Sequence, residues 1–265
     1  DIEALINSAF ADCDPRIRYG GSKAKGTMNL IDYDLDVISY FPRKDTRAGK
    51  TIREIYENVQ AALERKYLVY PKTTALHVKD RDRDLHIDVV PGRFIDATET
   101  YAFVHQNGRP ADKGWLQTNL DRHISHVIES GCIPDIRLSK IWRRCVGLTV
   151  RTFPLELLVI KILASVDSDA LDERFTQVLE SFRDEIHSLS IADPANEGNS
   201  LNEALSPSVR TALAAAASTT LSMVLNGGWS AVFGKVMSQT QPARDQAFRT
   251  AIITNQTRTQ PWRAA

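Results

Sequence analysis

The sequence has few cysteines, no excess of charge of one sign and no long uninterrupted apolar run. Its three cysteines fit neither a disulfide framework nor a zinc site, and they predict reduced thiols in a cytoplasmic protein. They are Cys13, Cys132 and Cys145. The most apolar run, residues 155–164, contains Glu156 and Lys161, so we expect no membrane span. No signal peptide is visible in a chain that begins at Asp1.

The balance of charge narrows the possible partners. Lysine plus arginine and aspartate plus glutamate both number 33, which gives a formal charge of zero. A general polyanion binder is therefore disfavoured, and no nucleic-acid activator is implied. With 265 residues, 43% of them hydrophobic, the chain can bury one large core or two smaller ones.

Two carboxylates follow a glycine-rich turn, residues 20–22, by about twelve residues. Asp34 and Asp36 are spaced i, i+2, so in a strand their side chains project from the same face. The intervening apolar residues then point to the opposite face, into a core. Asp32 and Asp34 also fit this alternation, but the apolar continuation after Asp36 favours the later pair at the start of a strand.

A third carboxylate, Asp88, lies between Ile87 and Val89 on a second predicted strand, which we expect Pro91-Gly92 to end. Three carboxylates from neighbouring strands can hold two Mg²⁺ ions about 4 Å apart, an arrangement suited to in-line displacement at phosphorus. The alternative is a solvated acidic edge strand. It is disfavoured because aspartates inside apolar strands are costly without cations.

The turn itself suits a phosphate. Gly20 and Gly21 allow a backbone geometry and a close approach that other residues do not. Ser22 is expected at a helix N-terminus, where its amide and hydroxyl favour an anion. A plain strand-to-helix turn is the alternative, and only the downstream carboxylates weigh against it.

The remaining pattern is α/β in the first half of the chain and helical afterwards. Thr51-Ile52-Arg53-Glu54 is a capping-box signature, and residues 66–90 predict two or three strands. His86 shares a face with Asp88 and is interpreted as a histidine of the sheet. Residues 43–50 form a basic loop that either contacts RNA or a triphosphate or, as we favour, is simply solvated.

From Trp115 onwards the sequence predicts helices. A helix after Pro134 carries Leu138, Ile141, Trp142 and Cys145 on its apolar side. Its basic residues are expected to form a stripe on another side: Arg137, Lys140 and Arg144. Thr152 opens the next helix. The predicted domains are residues 1–112 and 113–265, and the N-terminal helix either joins the first or packs on the second.

The ordered motifs resemble the DNA polymerase β-like nucleotidyltransferase superfamily. The helical half narrows the resemblance to the branch of oligoadenylate synthases and cGAS/DncV-like nucleotidyltransferases (CD-NTases). Five segments carry it, and they are residues 86–91, 114–119, 137–142, 151–156 and 191–199. The resemblance implies an α+β fold, with a mixed sheet and flanking helices, a C-terminal helical domain and an active site in the cleft between them.

The same resemblance implies the site residues. Asp34, Asp36 and Asp88 would be catalytic and would bind two Mg²⁺ (or Mn²⁺) ions. A spine-helix lysine, here Lys140, would bind the triphosphate of an NTP, ATP above all. A Ser-Tyr pair appears here as Thr152-Phe153, which keeps the hydroxyl and loses the phenol. The residues expected to bind the nucleotide are Gly21, Ser22, Lys140 and Thr152.

These features predict template-independent synthesis of a cyclic or short linear oligonucleotide, a signal used in bacterial antiphage defence. A regulatory protein partner fits that role, and base choice is assigned to a lid at residues 101–110. Three alternatives stay open. They are nucleotide addition to an RNA or DNA 3′ end, adenylylation of a protein or small molecule, and an inactive nucleotide-binding module.

Overall fold

A computed structural model of the chain describes residues 2–29, 35–82, 86–110 and 114–234. The predicted aspartates Asp32 and Asp34 lie outside these residues. The described residues divide into two compact units. The first contains residues 2–21 and 35–120, and the second contains residues 22–29 and 121–234, apart from the gaps already given. The predicted boundary at residue 112 stays a prediction.

The first unit is built on a mixed sheet that has seven strands among the described residues. The strands are β1 (Arg16–Tyr19), β2 (Leu35–Phe41), β3 (Leu68–Pro71), β4 (Leu76–Lys79), β5 (His86–Phe94), β6 (Ala102–His105) and β7 (Trp115–Thr118). Their order is β1-β2-β5-β4-β3, with β6 between β5 and β7. The β2–β5 pair is parallel and the other pairs are antiparallel, so the predicted mixed sheet is confirmed.

Helices α1 (Ile2–Ala9), α2 (Gly21–Ala24) and α3 (Ile52–Glu64) belong to the first part of the chain. Helix α3 begins with the predicted capping box, in which Thr51 and Glu54 cap each other's backbone. Its apolar face and that of α1 pack on one face of the sheet around Val37, Val89 and Phe41. The alternating residues of β2 therefore divide between this core and the opposite face.

The second unit is mainly helical. Its helices are α4 (Leu120–Glu129), α5 (Ile133–Cys145), α6 (Thr152–Leu163), α7 (Leu171–Asp184), α8 (Pro207–Gly227) and α9 (Ser230–Phe233). Trp142, Phe175 and Phe182 are fully buried at the centre of its core. A hairpin of β8 (Ala192–Asp193) and β9 (Asn196–Ser200) interrupts the helices, so the expectation of helices alone after Trp115 was wrong.

Strand β5 does not end at Pro91-Gly92 as predicted, but continues to Phe94. Pro91 pairs with Ser39 of the parallel neighbour β2. On its other edge β5 pairs with β4 as far as Val89 and with β6 from Gly92 onwards. Position 91 thus lies where β5 changes partner in the described residues, and a proline that lacks an N–H is tolerated there.

The segment that begins at Trp115 is a strand, not a helix. Trp115–Thr118 pairs with Ala102–His105, and the rings of Trp115 and Phe103 lie 4.4 Å apart between centroids. Four residues are too few to display a period, so cross-strand packing decides the conformation. Part of the predicted lid, residues 102–105, is accordingly a strand of the central sheet.

Helix α8 bears on the expectation of no membrane span. Among the described residues it is the one helix that is long and apolar enough, by length and composition, to cross a membrane. About 17% of that stretch is buried, and Leu213 and Ala217 pack in the core of the second unit. One such helix is weak evidence for a membrane segment.

Candidate active site

Two of the three predicted catalytic carboxylates stand side by side in the first unit. Asp36 of β2 and Asp88 of β5 are register partners in the parallel pair. Directly paired residues project from the same face of a sheet whose neighbouring strands lie about 4.8 Å apart. Both residues are half-buried. The structure therefore brings Asp36 and Asp88 together, whereas the predicted third partner, Asp34, lies outside the described residues.

The glycine pair is built against Asp36. The amide of Gly20 donates to the carbonyl of Asp36 over 2.9 Å. Gly21 has φ +53°, and a Cβ atom at this position would lie 1.6 Å from Oδ2 of Asp36. Any other residue at position 21 would collide with the carboxylate, so this glycine is required by a close approach as well as by its backbone conformation.

Asp88 has two partners that the sequence did not reveal. Nζ of Lys72 donates to Oδ2 over 2.5 Å, and Nδ1 of His77 lies 2.7 Å from Oδ1. His77 is the register partner of Asp88 on β4, and Lys72 follows β3. The predicted neighbour His86 lies next to His77, with 5.5 Å between the ring centroids. His77 can be identified as a partner of Asp88 only from the register of β4 and β5, which the sequence alone does not give.

The residues present fit a divalent metal. Paired carboxylates supply the hard oxygen ligands that Mg²⁺ prefers. An ammonium group already lies against Asp88, which shows that this carboxylate attracts a cation. Within the parts of the chain described here, no group of three or more His, Cys, Asp or Glu side chains is placed to bind a metal. The described pair therefore needs Asp34 or a substrate oxygen to complete a site.

In the second unit, the segment after the glycine pair carries a buried charged cluster. Lys25 and Lys140 contact opposite oxygens of Glu156, at 2.9 Å to Oε2 and 2.5 Å to Oε1. The hydroxyl of Thr27 accepts from Lys140 and donates to Glu156, each over 2.9 Å. The side chains of Lys140 and Glu156 are 3% and 2% exposed. We call Lys25, Thr27, Lys140 and Glu156 the buried lysine–glutamate cluster.

Burial and charge act in opposite directions in this cluster. Burial alone would raise the pKa of Glu156, but Lys25 and Lys140 outweigh it, and the pKa lies below its ordinary value. Burial lowers the pKa of Lys140, and the charge of Glu156 opposes that shift. The carboxylate is therefore ionised at neutral pH and holds the two ammonium groups.

The predicted basic stripe on α5 is divided in the structure. Arg137 and Arg144 are exposed, but Lys140 is buried, because α5 and α6 pack against each other and Glu156 faces it. Cys145, expected on the apolar side, is exposed. The signal for the cluster was present in the sequence, since a glutamate inside the most apolar helix must find a buried partner.

The other predicted nucleotide residue, Thr152, is the first residue of α6 and is half-buried. Phe153 follows it, with Nζ of Lys25 4.1 Å from the centre of its ring. His123 of α4 contacts both Phe153 and Asp193. Its ring lies 5.0 Å from the ring of Phe153, and its Nε2 atom lies 2.6 Å from Oδ1 of Asp193. Asp193 belongs to one of the five segments that carried the resemblance, and His123 joins that segment to α4.

Several solved structures share this fold. CdnC of E. coli MS115-1, in a complex with HORMA-deltaN, matches with a TM-score of 0.65 and 20% identity over 88% of each chain. The cyclic AMP-GMP synthase DncV of Vibrio cholerae, solved with a linear intermediate, matches at 0.63 and 17%, over 87% of this chain and 72% of its own. The CD-NTase CdnG of Bradyrhizobium diazoefficiens, in complex with GTP, matches at 0.66 and 14%, over 88% and 87%.

No family model matches the sequence, and no curated protein matches it. The structural matches show a fold like that of CD-NTases, with a mixed sheet and a helical unit, as the resemblance predicted. Identities of 14–20% establish nothing beyond the fold.

Proposed function

We propose that the protein is a nucleotidyltransferase that joins NTPs into a cyclic or short linear oligonucleotide. The observation that carries this proposal is the register pair of Asp36 and Asp88, with Gly21 pressed against the first carboxylate. The shared fold supports it, because CdnC has been solved with ATP and a CdnE cyclic dinucleotide synthase of Elizabethkingia meningoseptica with GTP and Apcpp.

In the proposed reaction, Asp36 and Asp88 act with Asp34 to hold two Mg²⁺ or Mn²⁺ ions. When bound, such ions activate an attacking hydroxyl and neutralise the leaving pyrophosphate. Asp88 lies beside the acceptor nucleotide and orients its 2′- or 3′-hydroxyl. Lys72 then gives up its contact with Asp88, which is feasible because its side chain is 47% exposed. Catalysis consists mainly of positioning and charge stabilisation.

Gly21, Ser22, Lys140 and Thr152 are proposed to hold the triphosphate. Gly21 allows the backbone to approach a phosphate, and the hydroxyls of Ser22 and Thr152 can donate to it. Lys140 is already engaged with Thr27 and Glu156. Its direct contact with a phosphate therefore requires one of these partners to be exchanged, and otherwise it acts through the segment that it holds.

A cytoplasmic antiphage signal, made from ATP above all and controlled by a regulatory protein, is the proposed biological setting. It is supported by the fold that the chain shares with CdnC, which was solved with HORMA-deltaN. The formal net charge of zero gives no indication of a nucleic-acid activator.

The test is a product assay. The purified protein is incubated with all four NTPs and Mg²⁺ or Mn²⁺, and phosphatase-resistant products are identified by mass spectrometry. Asp36→Asn should abolish them, whereas Asp80→Asn, in the loop after β4, should not. Products that persist in Asp36→Asn would refute the site. Elongation of bulk tRNA instead of a small product would favour the 3′-end-adding enzyme, and nucleotide binding without turnover would favour the inactive module.

A further inference from the structure

The carboxylate of Glu156 is bound on both oxygens by the segment that follows the glycine pair. Oε2 accepts from Lys25, and Oε1 accepts from the hydroxyl of Thr27. Lys140 of α5 closes the arrangement by contacting both Oε1 of Glu156 and the hydroxyl of Thr27. One side chain of α6 thus binds two positions of the 22–29 segment.

The backbone at Thr27 is hydrogen-bonded to that of Ser22. The amides of Thr27 and Met28 both donate to the carbonyl of Ser22, over 2.9 and 3.1 Å. Gly26, with φ +69°, allows the chain to fold back in this way. A segment held at Lys25 and Thr27 is therefore also held at Ser22, the residue proposed to donate to the triphosphate.

Stability alone does not explain this cluster. Glu156 lies between Leu155 and Leu157, both buried, in a helix whose core could be wholly apolar. A buried carboxylate with two ammonium groups is costly to desolvate, and apolar replacements of such groups are often neutral or stabilising. The cluster also contains two positive charges and one negative charge. Burial and unbalanced charge are expected of a cluster that holds one local conformation rather than of an ion pair that only adds stability.

We propose that Glu156 is a positioning residue, which orders the 22–29 segment through Thr27 and Lys25 so that Ser22 is in place before the nucleotide binds. The inference rests on the proposed function for its second half, the effect on nucleotide binding. Its first half, the ordering of the segment, does not depend on any activity.

Thr27 offers a sharper test than Glu156, because Glu156→Gln leaves two buried ammonium groups poorly paired and the variant is at risk of not folding. Thr27→Val keeps the shape and removes the hydroxyl shared by Lys140 and Glu156. Thr27→Ser restores that hydroxyl. Thr220→Val is the matched control, since Thr220 is also buried and accepts a hydrogen bond from α5, at Trp142 over 2.8 Å.

Two readouts separate positioning from general destabilisation. Hydrogen exchange of residues 22–29 should quicken in Thr27→Val, return towards the wild-type rate in Thr27→Ser, and stay unchanged in Thr220→Val. The KM for NTP should rise about tenfold in Thr27→Val, as expected for the loss of about one net hydrogen bond, with a smaller change in kcat. Thr220→Val should lower the melting temperature and leave KM unchanged.

The proposal is overturned if the amide hydrogens of residues 22–29 exchange at the wild-type rate in Thr27→Val. It is overturned as well if Thr220→Val changes their exchange and the KM for NTP to the same degree as Thr27→Val does. It is also overturned if exchange quickens while KM stays the same. If the wild-type protein neither binds nor converts any NTP, the proposed function fails, and with it the effect on KM. The exchange data then still decide whether the cluster orders the segment.

Discussion

Each unit of this protein holds a carboxylate against a lysine, but in different surroundings. In the first unit, the side chain of Asp88 is 14% exposed and its partner Lys72 is 47% exposed. In the second, Glu156 and Lys140 are almost fully buried. A pair whose lysine reaches solvent contributes little stability and exchanges partners easily, whereas a fully buried pair is costly to break. The first arrangement suits a carboxylate that must accept a metal, and the second suits one that holds a segment in place.

The largest expected effect contrasts the two carboxylates directly. Glu156→Gln should lower the free energy of unfolding by about 3–5 kcal/mol, because the buried lysines lose their counter-charge. Asp88→Asn should change it by less than about 1 kcal/mol, because its ion pair reaches solvent. Urea unfolding of both variants at neutral pH measures the difference. Equal losses would show that exposure does not distinguish the two pairs.

The second test concerns the close approach of Gly21 to Asp36. Gly21→Ala should abolish nucleotide transfer, since a Cβ atom collides with the Asp36 carboxylate. Gly147→Ala is the control, because Gly147 has φ +72° and a Cβ atom added there would meet nothing within 4 Å. Both variants should lose about 1–2 kcal/mol through the left-handed backbone. An active Gly21→Ala enzyme would remove the steric argument for this site.

A smaller effect is expected from pH. Because the pKa of Glu156 is lowered in the folded protein, its stabilising contribution is complete above the ordinary carboxyl pKa and is lost as pH falls below it towards the lowered value. The groups that face it are Lys25 and Lys140. Urea midpoints measured from pH 7 to pH 3 should therefore fall less steeply in a Lys140→Met, Glu156→Gln double variant.

Asp193 provides the internal reference for that measurement. Burial raises its pKa, but hydrogen bonds from His123 and neighbouring groups outweigh burial, so its pKa is also lowered. It is unchanged in the double variant, which should keep this part of the acid sensitivity. Identical pH slopes in the two proteins would contradict the role assigned to Glu156.

The smallest effect is expected at the N-terminus of α3. Thr51→Ala removes the capping box and should cost about 1 kcal/mol, which thermal unfolding can detect. Transfer activity at temperatures well below the unfolding transition should not change. Among the hydrogen bonds of the described residues, those of Thr51 do not involve the Asp36–Asp88 pair or the buried lysine–glutamate cluster. A proportional loss of activity would indicate that α3 influences the site.

Local signals were enough to predict much of the fold. The capping box of Thr51 and the alternation around Asp36 each depend on residues close in sequence, and the structure contains both. Local signals did not predict the pairing of strands that are distant in sequence. Strand β7 forms through contacts with β6, and β5 passes through Pro91 because its partners change there.

The same limit applies to the site. Asp36 and Asp88 were identified from their apolar flanks, but His77 and Lys72 reach Asp88 only through the register of β4 and the turn before it. Lys140 was expected in a basic stripe of α5, and helical spacing alone does not show which face of the helix is covered. Glu156 in the most apolar helix was the residue that could have corrected this prediction.

The central claim is that Asp36 and Asp88 work as one metal-binding pair. Its most direct test is to measure Mn²⁺ binding by electron paramagnetic resonance in the presence of a non-hydrolysable NTP. We expect the wild-type protein and Asp80→Asn to bind Mn²⁺, and both Asp36→Asn and Asp88→Asn to lose most of that binding. Undiminished Mn²⁺ binding in both single variants would contradict the account.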